Sequence, residues 1–272
     1  MINAEAVCKK LNIPYTPEAE KYFSILLDTA NRLDKCKACT KTGQEAVNCS
    51  KPKAEYEHGI YRVGYSACPK AKSYIVQRRI NKLLNSSGIS SRFKQRTFSN
   101  FNVTPETKEA FTECVNFVKN YEPKQRGLRL SGCYGCGKTH LATAIINSLL
   151  SQGVSCLFVV VPELLDYIRQ GITSAEKAKI AADILDAAKA VDVLVLDDLG
   201  AEKPSSWVAE QLFILVNARY EKQLTMIVTT NLNTGGLINQ VSQRIMSRLI
   251  EMTSPVTMKN AGDYRLKMAK AI

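Results

Sequence analysis

One octapeptide constrains the fold of this chain more than any other feature. Residues 132–139 read GCYGCGKT and fit the pattern G-x-x-x-x-G-K-[S/T] at every fixed position. An apolar stretch at 128–130 precedes this loop, and a helical pattern begins at Lys138. Glycines let the backbone turn so tightly that several N–H donors converge on one anion, which the positive end of the next helix also attracts. The octapeptide therefore predicts a phosphate-binding loop between a buried strand and a helix.

The side chains at the end of this loop suit ATP with Mg²⁺. Lys138 is a mobile cation that can reach the β- and γ-phosphates, and the Thr139 hydroxyl can ligate Mg²⁺. The loop also holds a C-x-x-C pair, Cys133 and Cys136, which a redox dithiol would need. Both cysteines occupy variable positions of a complete phosphate loop, so we interpret them as incidental to it. The predicted nucleotide-binding residues of this segment are Gly132, Gly135, Cys136, Gly137, Lys138, Thr139 and His140.

Two further apolar stretches end in polar side chains that can complete such a site. Residues 193–196 are followed by Asp197 and Asp198, and residues 226–228 lead through two threonines to Asn231. In a parallel sheet these side chains meet at the carboxyl edge, beside the phosphate loop. We predict that Asp197 holds Mg²⁺, directly or through water, and that Asp198 accepts a proton from the attacking water or orients it. Asn231 is predicted to hydrogen-bond the γ-phosphate or that water. In isolation, each motif would also suit a strand followed by a polar turn.

Strands and helices alternate from residue 128 onward, which favours a doubly wound α/β domain with a parallel sheet flanked by helices. The continuous apolar run at 191–196 is typical of a strand that is buried on both faces. The predicted strands are 128–130, 155–161, 191–196 and 225–230, and the predicted helices are 104–121, 138–150, 162–169, 175–190, 206–222 and 237–250.

The N-terminal third has a different character. Residues 1–100 carry 18 Lys and Arg against 8 Asp and Glu, within a chain whose net charge is +12. A basic region suits an anionic partner such as a nucleic acid, although a basic surface kept for solubility explains it equally well. A helix is predicted from Thr16 to about Leu33. Residues 35–72 show weak periodicity, so we expect something other than an apolar core to order them.

That weakly periodic segment contains four of the nine cysteines. Cys36-x-x-Cys39 has zinc-knuckle spacing, and Cys49 and Cys68 can complete a tetrahedral Zn²⁺ site, with His58 as a substitute ligand. Unpaired thiols in a polar loop are the alternative. The odd cysteine count and the lack of a secretory signal argue against a disulfide framework. No apolar run is long enough to cross a bilayer, so we expect a cytoplasmic protein without a membrane partner.

The amino-acid sequence of the second half resembles that of a known family. The segments that carry the likeness are VLVLDDLGAEKPSSW at 193–207, NARY at 217–220, IVTTNL at 227–232 and QRIMSRLIEM at 243–252. They are similar to the DnaC/DnaI-type helicase loaders and to the related IstB transposition ATPases, which are AAA+ ATPases. The resemblance covers roughly residue 73 to the C-terminus, and its motifs are specific to this group rather than to loaders alone.

The resemblance implies an AAA+ fold in which the lid domain is reduced or absent. It also implies self-association, since AAA+ sites lie between subunits and take an arginine from the neighbour. Arg248 matches that arginine finger, Arg244 is a second candidate one turn away, and Arg265 matches a residue that senses the nucleotide. The implied division is 1–72, a small helical zinc-binding domain that binds a helicase; 73–103, a basic linker helix and connector; and 104–272, the AAA+ domain.

Two functions within this group remain open on the sequence. The first is a weak, DNA-stimulated ATPase that binds the replicative hexameric helicase and helps place it on single-stranded DNA, which an insertion at 162–190 contacts. The alternative is an IstB-like transposition helper that binds duplex DNA and a transposase. A nucleic-acid-binding protein with a vestigial phosphate loop is a third reading, against which the complete set of polar site residues argues.

Overall fold

The computed structural model of the protein describes residues 2–37, 49–68, 70–71, 74–75, 77–78, 95–258 and 261–264. The chain divides into two units, residues 1–75 and 76–272, and each unit is described by itself. The domain limits predicted at 72 and 103 remain predictions. Within the described ranges, no helix combines the length and the apolar character needed to cross a membrane.

Helices and a β-hairpin share the core of the N-terminal unit. Its helices are α1 (Ala4–Leu11), a 3-10 helix (Pro17–Tyr22) and α2 (Phe23–Lys37), and its strands are β1 (Ser50–Glu57) and β2 (Ile60–Ala67). Tyr61 is 5% exposed, and its hydroxyl accepts a hydrogen bond from the Thr16 amide and donates one to the Pro14 carbonyl. The predicted small helical domain thus also contains a hairpin. The expectation that something other than an apolar core orders residues 35–72 is wrong for this hairpin, whose Tyr61 is buried in such a core. Short strands with polar outer faces give only a weak apolar pattern.

The second unit is built from alternating strands and helices. Its strands are β3 (Gly127–Gly132), β4 (Cys156–Val160), β5 (Val193–Asp197), β6 (Thr225–Thr230) and β7 (Thr253–Met258). Its helices are α3 (Lys108–Lys119), α4 (Lys138–Ser151), α5 (Val161–Gln170), α6 (Ala175–Ala188), α7 (Ser206–Glu221), α8 (Thr234–Val241) and α9 (Gln243–Met252).

A parallel sheet positions the polar ends of these strands. The strand order is β4-β5-β6-β3-β7, and each neighbouring pair is parallel. Every residue of β5 and β6 is buried, as expected for central strands that helices cover on both faces. Because β3, β5 and β6 are central and parallel, the phosphate loop and the polar residues after β5 and β6 meet at one edge. The predicted α/β fold is confirmed.

Two elements of this unit differ from the sequence predictions. β7 is absent from the predicted strands, because a proline and several polar residues interrupt its apolar pattern, yet it pairs with β3 over six residues. The single helix predicted at 237–250 is instead α8 and α9. The two helices are separated at Ser242, whose φ of 91° lies in the region that favours glycine. The break allows α9 to pack against α7.

Candidate nucleotide-binding site

The phosphate loop joins β3 to α4 and depends on its glycines. Gly135 and Gly137 have φ values of 70° and 103°, which a residue with a side chain rarely adopts. A Cβ at Gly137 would also lie 2.7 Å from the Phe101 ring, and one at Gly135 would collide with the Asp263 carboxylate. Backbone geometry and close neighbours therefore both require glycine at these positions.

Lys138 is the buried cation of the site. It is the first residue of α4 and is only 6% exposed. Its ammonium donates hydrogen bonds to the carbonyls of Gly132 and Cys133, at 2.9 and 2.6 Å, and to Oδ1 of Asn231, at 2.6 Å. A buried ammonium needs such acceptors, and at this place it is within reach of phosphates that the loop would cradle. The structure thus brings Lys138 and Asn231 together.

Asp197 lies beside the hydroxyl that ends the phosphate loop. Its carboxylate accepts hydrogen bonds from Oγ1 of Thr139 at 3.2 Å and from Oγ1 of Thr229 at 2.7 Å. Burial raises the pKa of Asp197, and these two hydrogen bonds oppose the rise. Hydroxyl and carboxylate oxygens are the ligands that Mg²⁺ prefers, so Thr139 and Asp197 can hold that ion. Thr229 was missed by sequence reasoning, although it is the first threonine of the segment that predicts Asn231.

Asp198 is held in an unusual conformation by two neighbours. Its φ of 59° is left-handed, which costs a residue other than glycine on the order of 1 kcal/mol or more. Its amide donates to Oγ1 of Thr229 at 2.9 Å, and its carboxylate accepts from Nδ2 of Asn231 at 2.7 Å. Asn231 therefore links Asp198 to Lys138. A carboxylate on this strained backbone, next to Asn231, is a group that can accept a proton.

A pocket of about 910 Å³ opens at this edge of the sheet, a volume that suits a nucleotide. The predicted residues from Gly135 to His140, together with both aspartates and Asn231, line it. Part of its wall comes from segments that sequence reasoning did not assign to the site: Arg96, Phe101, Thr104, Glu163, Ala261 and Tyr264.

His140 connects α4 to the segment 97–101, which forms part of the pocket wall. Its Nε2 atom lies 2.9 Å from the Thr97 carbonyl oxygen and 3.0 Å from Oδ1 of Asn100, and its ring meets Phe101 edge-on. Burial lowers the pKa of His140, so the neutral ring with its proton on Nε2 fits both oxygen acceptors. His140, which the sequence assigns to nucleotide binding, both lines the pocket and holds the connector. In the sequence, the sign of this contact was the pair of aromatic residues Phe98 and Phe101 in the connector.

Residues 261–264 contact the phosphate loop through its cysteine segment. The Tyr264 amide donates to the Gly135 carbonyl at 3.1 Å, and the Cys133 thiol donates to the Ala261 carbonyl. Cys136 is buried, with its sulfur 3.7 Å from the ammonium of Lys138. Arg265 falls outside the described residues, so its role as a nucleotide sensor stays a prediction.

The two predicted finger arginines lie on α9. Neither Arg244 nor Arg248 belongs to the described residues that line the pocket of their own chain. Both guanidinium groups lie over the Phe213 ring of α7, at 4.4 and 5.0 Å from its centre. The assignment of either arginine as the finger therefore stays a prediction.

The base of the N-terminal hairpin brings two of the predicted zinc ligands together. Cys49 precedes β1, Cys68 follows β2, and the two pack in one small cluster. His58 lies in the turn at the far end of these eight-residue strands, roughly 25 Å away, so it is not brought near them. Cys36 lies in the last turn of α2, and Cys39 is outside the described residues. Within the part of the chain that the structure describes, no three His, Cys, Asp or Glu side chains form a metal-binding group.

The fold and the site together define a class of protein. A phosphate loop at the centre of a parallel sheet, with two aspartates and an asparagine on the adjacent strand ends, is the arrangement of an AAA+ ATPase. The chain belongs to the family of IstB-like ATP binding proteins, whose model matches residues 70–271.

Two relatives are helicase loaders. The chain is 24% identical over 261 residues to the replicative helicase loader DnaI of Bacillus subtilis, a match that covers 88% of this chain and 81% of DnaI. It is 27% identical over 237 residues to the replicative helicase loader DnaC of Escherichia coli K12, covering 85% of this chain and 90% of DnaC. A crystal structure of DnaI matches with 31% identity and a TM-score of 0.54, over 62% of this chain and 93% of that chain. The resemblance to the DnaC/DnaI-type loaders is confirmed.

Proposed function

We propose that this chain is an ATP-dependent loader of a replicative hexameric DNA helicase. The observation that carries the proposal is the extent of the match to the loader DnaI. That match covers 88% of the chain, whereas residues 76–272 make up less than three quarters of it. The similarity therefore continues from the ATPase unit into the N-terminal unit, which in this proposal binds the helicase.

In the proposed reaction the described site residues bind ATP and activate water. Lys138 contacts the β- and γ-phosphates, while Thr139 and Asp197 hold Mg²⁺, which supplies charge to offset the phosphates. Asp198 accepts a proton from the attacking water. Asn231 orients the γ-phosphate or that water, and its hydrogen bonds to Lys138 and Asp198 support this role.

Hydrolysis requires a second copy of the chain. Arg248, with Arg244 as the second arginine, reaches the γ-phosphate held by the neighbouring subunit. A guanidinium suits this task because it stays charged and offers two parallel donors. The position of both arginines outside the pocket of their own chain supports the arrangement. A monomer would then bind ATP but hydrolyse it poorly, so ATP acts mainly as a switch.

The insertion made by α5 and α6 contacts single-stranded DNA in this proposal. Its exposed residues include Ile172, which is 74% exposed, and two lysines, Lys177 and Lys179. Lysines give phosphate contacts that weaken with salt, and an exposed aliphatic side chain can pack against an unpaired base.

A Zn²⁺ ion completes the N-terminal unit in the same proposal, bound by Cys36, Cys39, Cys49 and Cys68. The contact between Cys49 and Cys68 at the hairpin base supports it, because two neighbouring thiolates supply half of a tetrahedral site.

Protein purified without chelator is expected to contain about one Zn²⁺ per chain by elemental analysis. Cys68→Ser should lose the metal, and Cys133→Ser, in the phosphate loop, should keep it. Zinc-free wild-type protein would contradict this part of the proposal.

Co-purification with a replicative hexameric helicase tests the loader function. The tagged full chain is expected to retain the helicase of the same cell in ATP and Mg²⁺, and to release it after hydrolysis in the presence of single-stranded DNA. The alternative, a transposition helper, is favoured by the IstB-like family model. A chain that ignores the helicase but assembles on duplex DNA would support that alternative and reject the loader.

A further inference from the structure

Arg248 is held in a cradle built from one face of α7. Phe213, Asn217 and Tyr220 are spaced by four and three residues, so they share that face. The Nε atom of Arg248 donates a hydrogen bond to Oδ1 of Asn217 at 3.0 Å. The centre of its guanidinium group lies 5.0 Å from the centre of the Phe213 ring and 5.3 Å from that of the Tyr220 ring. One polar and two aromatic contacts thus fix an arginine that is only partly buried.

Further contacts hold the cradle itself in place. Nη1 of Arg248 donates to the Arg244 carbonyl, one turn earlier in α9, at 3.2 Å. The Tyr220 hydroxyl donates to Oε2 of Glu251 at 2.9 Å, which ties α7 to α9 beside the guanidinium. Among the contacts made by described residues, Nε and Nη1 of Arg248 are engaged. Among the described residues, neither Nη2 nor the second N–H of Nη1 has an acceptor, so both nitrogens can donate to a phosphate.

Such a cradle matters because a long side chain loses conformational freedom when it docks. An exposed arginine samples many rotamers, and ordering it at the moment of contact opposes binding. Cation–π contacts and a hydrogen bond from the charged group order the side chain beforehand. The hydrogen bond at Nε also sets the plane of the guanidinium, which a phosphate requires for two parallel hydrogen bonds.

We propose that Asn217, together with Phe213, is a positioning residue that orients Arg248 for the ATP site of a second copy of this chain. The inference rests on the proposed function of Arg248 as an arginine finger. Asn217 does not line the pocket of its own chain among the described residues there, so it acts through Arg248 rather than on the nucleotide.

Two substitutions at Asn217, both of similar size to asparagine, separate the effect of the acceptor oxygen from the effect of side-chain volume. Asn217→Leu removes the oxygen that holds Nε, and Asn217→Asp keeps an oxygen there. With single-stranded DNA present, the leucine variant is expected to lower kcat about tenfold with an unchanged KM for ATP. The aspartate variant is expected to retain most of the turnover.

A mixing experiment distinguishes lost positioning from a general structural defect. Lys138→Ala subunits bind ATP weakly at their own site but carry an intact cradle and Arg248. Added in excess to Asn217→Leu subunits, they are expected to restore turnover, because their finger serves the leucine variant's intact ATP site. Asp198→Asn subunits are the matched control, since their defect lies in the ATP site itself and the same addition should not relieve it.

These measurements decide whether Asn217 positions Arg248. Unchanged turnover in Asn217→Leu overturns the positioning role, and so does a loss that Lys138→Ala subunits fail to relieve. The proposed function is tested separately by Arg248→Ala. If that variant retains turnover, the finger itself is rejected; if it stops turnover while Asn217→Leu does not, only the positioning inference fails.

Discussion

Replacing Lys138 with alanine is expected to weaken ATP binding by about a hundredfold or more. The ammonium is the buried cation of the phosphate loop, and its place between the Cys133 carbonyl and Asn231 puts it at the site of the phosphates. Losing a charge-assisted contact with phosphate in a site shielded from water costs about 3 kcal/mol. Titration with a fluorescent ATP analogue in Mg²⁺ measures the change, and ADP should be affected in the same direction.

The matched control for this prediction is Lys119→Ala, which removes an exposed ammonium at the end of α3. It should leave the affinity for ATP unchanged. Thermal unfolding of both variants checks that the fold is retained, because Lys138→Ala also removes a donor from two backbone carbonyls. A folded Lys138→Ala protein that binds ATP as tightly as the wild type would contradict the assignment of the site.

Replacing Arg248 with alanine is expected to lower ATP turnover by about a thousandfold while the affinity of the monomer for ATP stays the same. The turnover should fall because the guanidinium stabilises charge that develops on the γ-phosphate of the neighbouring subunit. The affinity should hold because Arg248 does not line the described pocket of its own chain. Phosphate release under saturating ATP gives the first quantity, and equilibrium titration at low protein concentration gives the second.

Arg248→Lys and Arg62→Ala make the test specific. The lysine keeps the charge but loses the planar pair of donors, so it should recover little of the turnover. Arg62 lies exposed on β2 of the N-terminal unit, and its removal should leave turnover intact. An Arg248→Ala protein with normal turnover would contradict the role of Arg248 as the arginine finger.

The phosphate loop and its partner residues could be predicted because local spacing determines each of them. A glycine-rich loop between a strand and a helix has few other uses, and buried parallel strands bring their carboxyl ends to one edge. The structure accordingly places Lys138, Asp197 and Asn231 within one network of hydrogen bonds, which runs through Thr229 and Asp198. The left-handed backbone of Asp198 was not predictable, because nothing in the residue type demands it.

The walls of the pocket could not be predicted, because they depend on contacts between distant segments. The Asn147 side chain donates to the Arg96 carbonyl at 2.7 Å, and His140 bonds the next residue, Thr97. Neither pairing leaves a periodic mark in the sequence. β7 was missed for a related reason, since its strand character comes from pairing with β3 rather than from its own composition.

The contacts of Arg219 could not be predicted either, although the sequence segment that contains it was recognised. It belongs to the NARY segment on which the family resemblance partly rests, and a charged helix residue is usually assigned to the surface. In the structure it is fully buried, and its guanidinium donates to the backbone carbonyls of Ala188, Val191, Asp192 and Thr225. Burial lowers its pKa to about 9. Its role is to join the end of α6 to the start of two strands, which no local pattern reveals.

In the proposed mechanism, one chain binds ATP and two chains hydrolyse it. Turnover per subunit, measured at saturating ATP over a dilution series of the wild-type chain, tests this most directly. Turnover per subunit is expected to rise with protein concentration, whereas the affinity for ATP should be the same in dilute and in concentrated protein. Turnover per subunit that stays constant over the whole dilution series, down to monomeric protein, would contradict it.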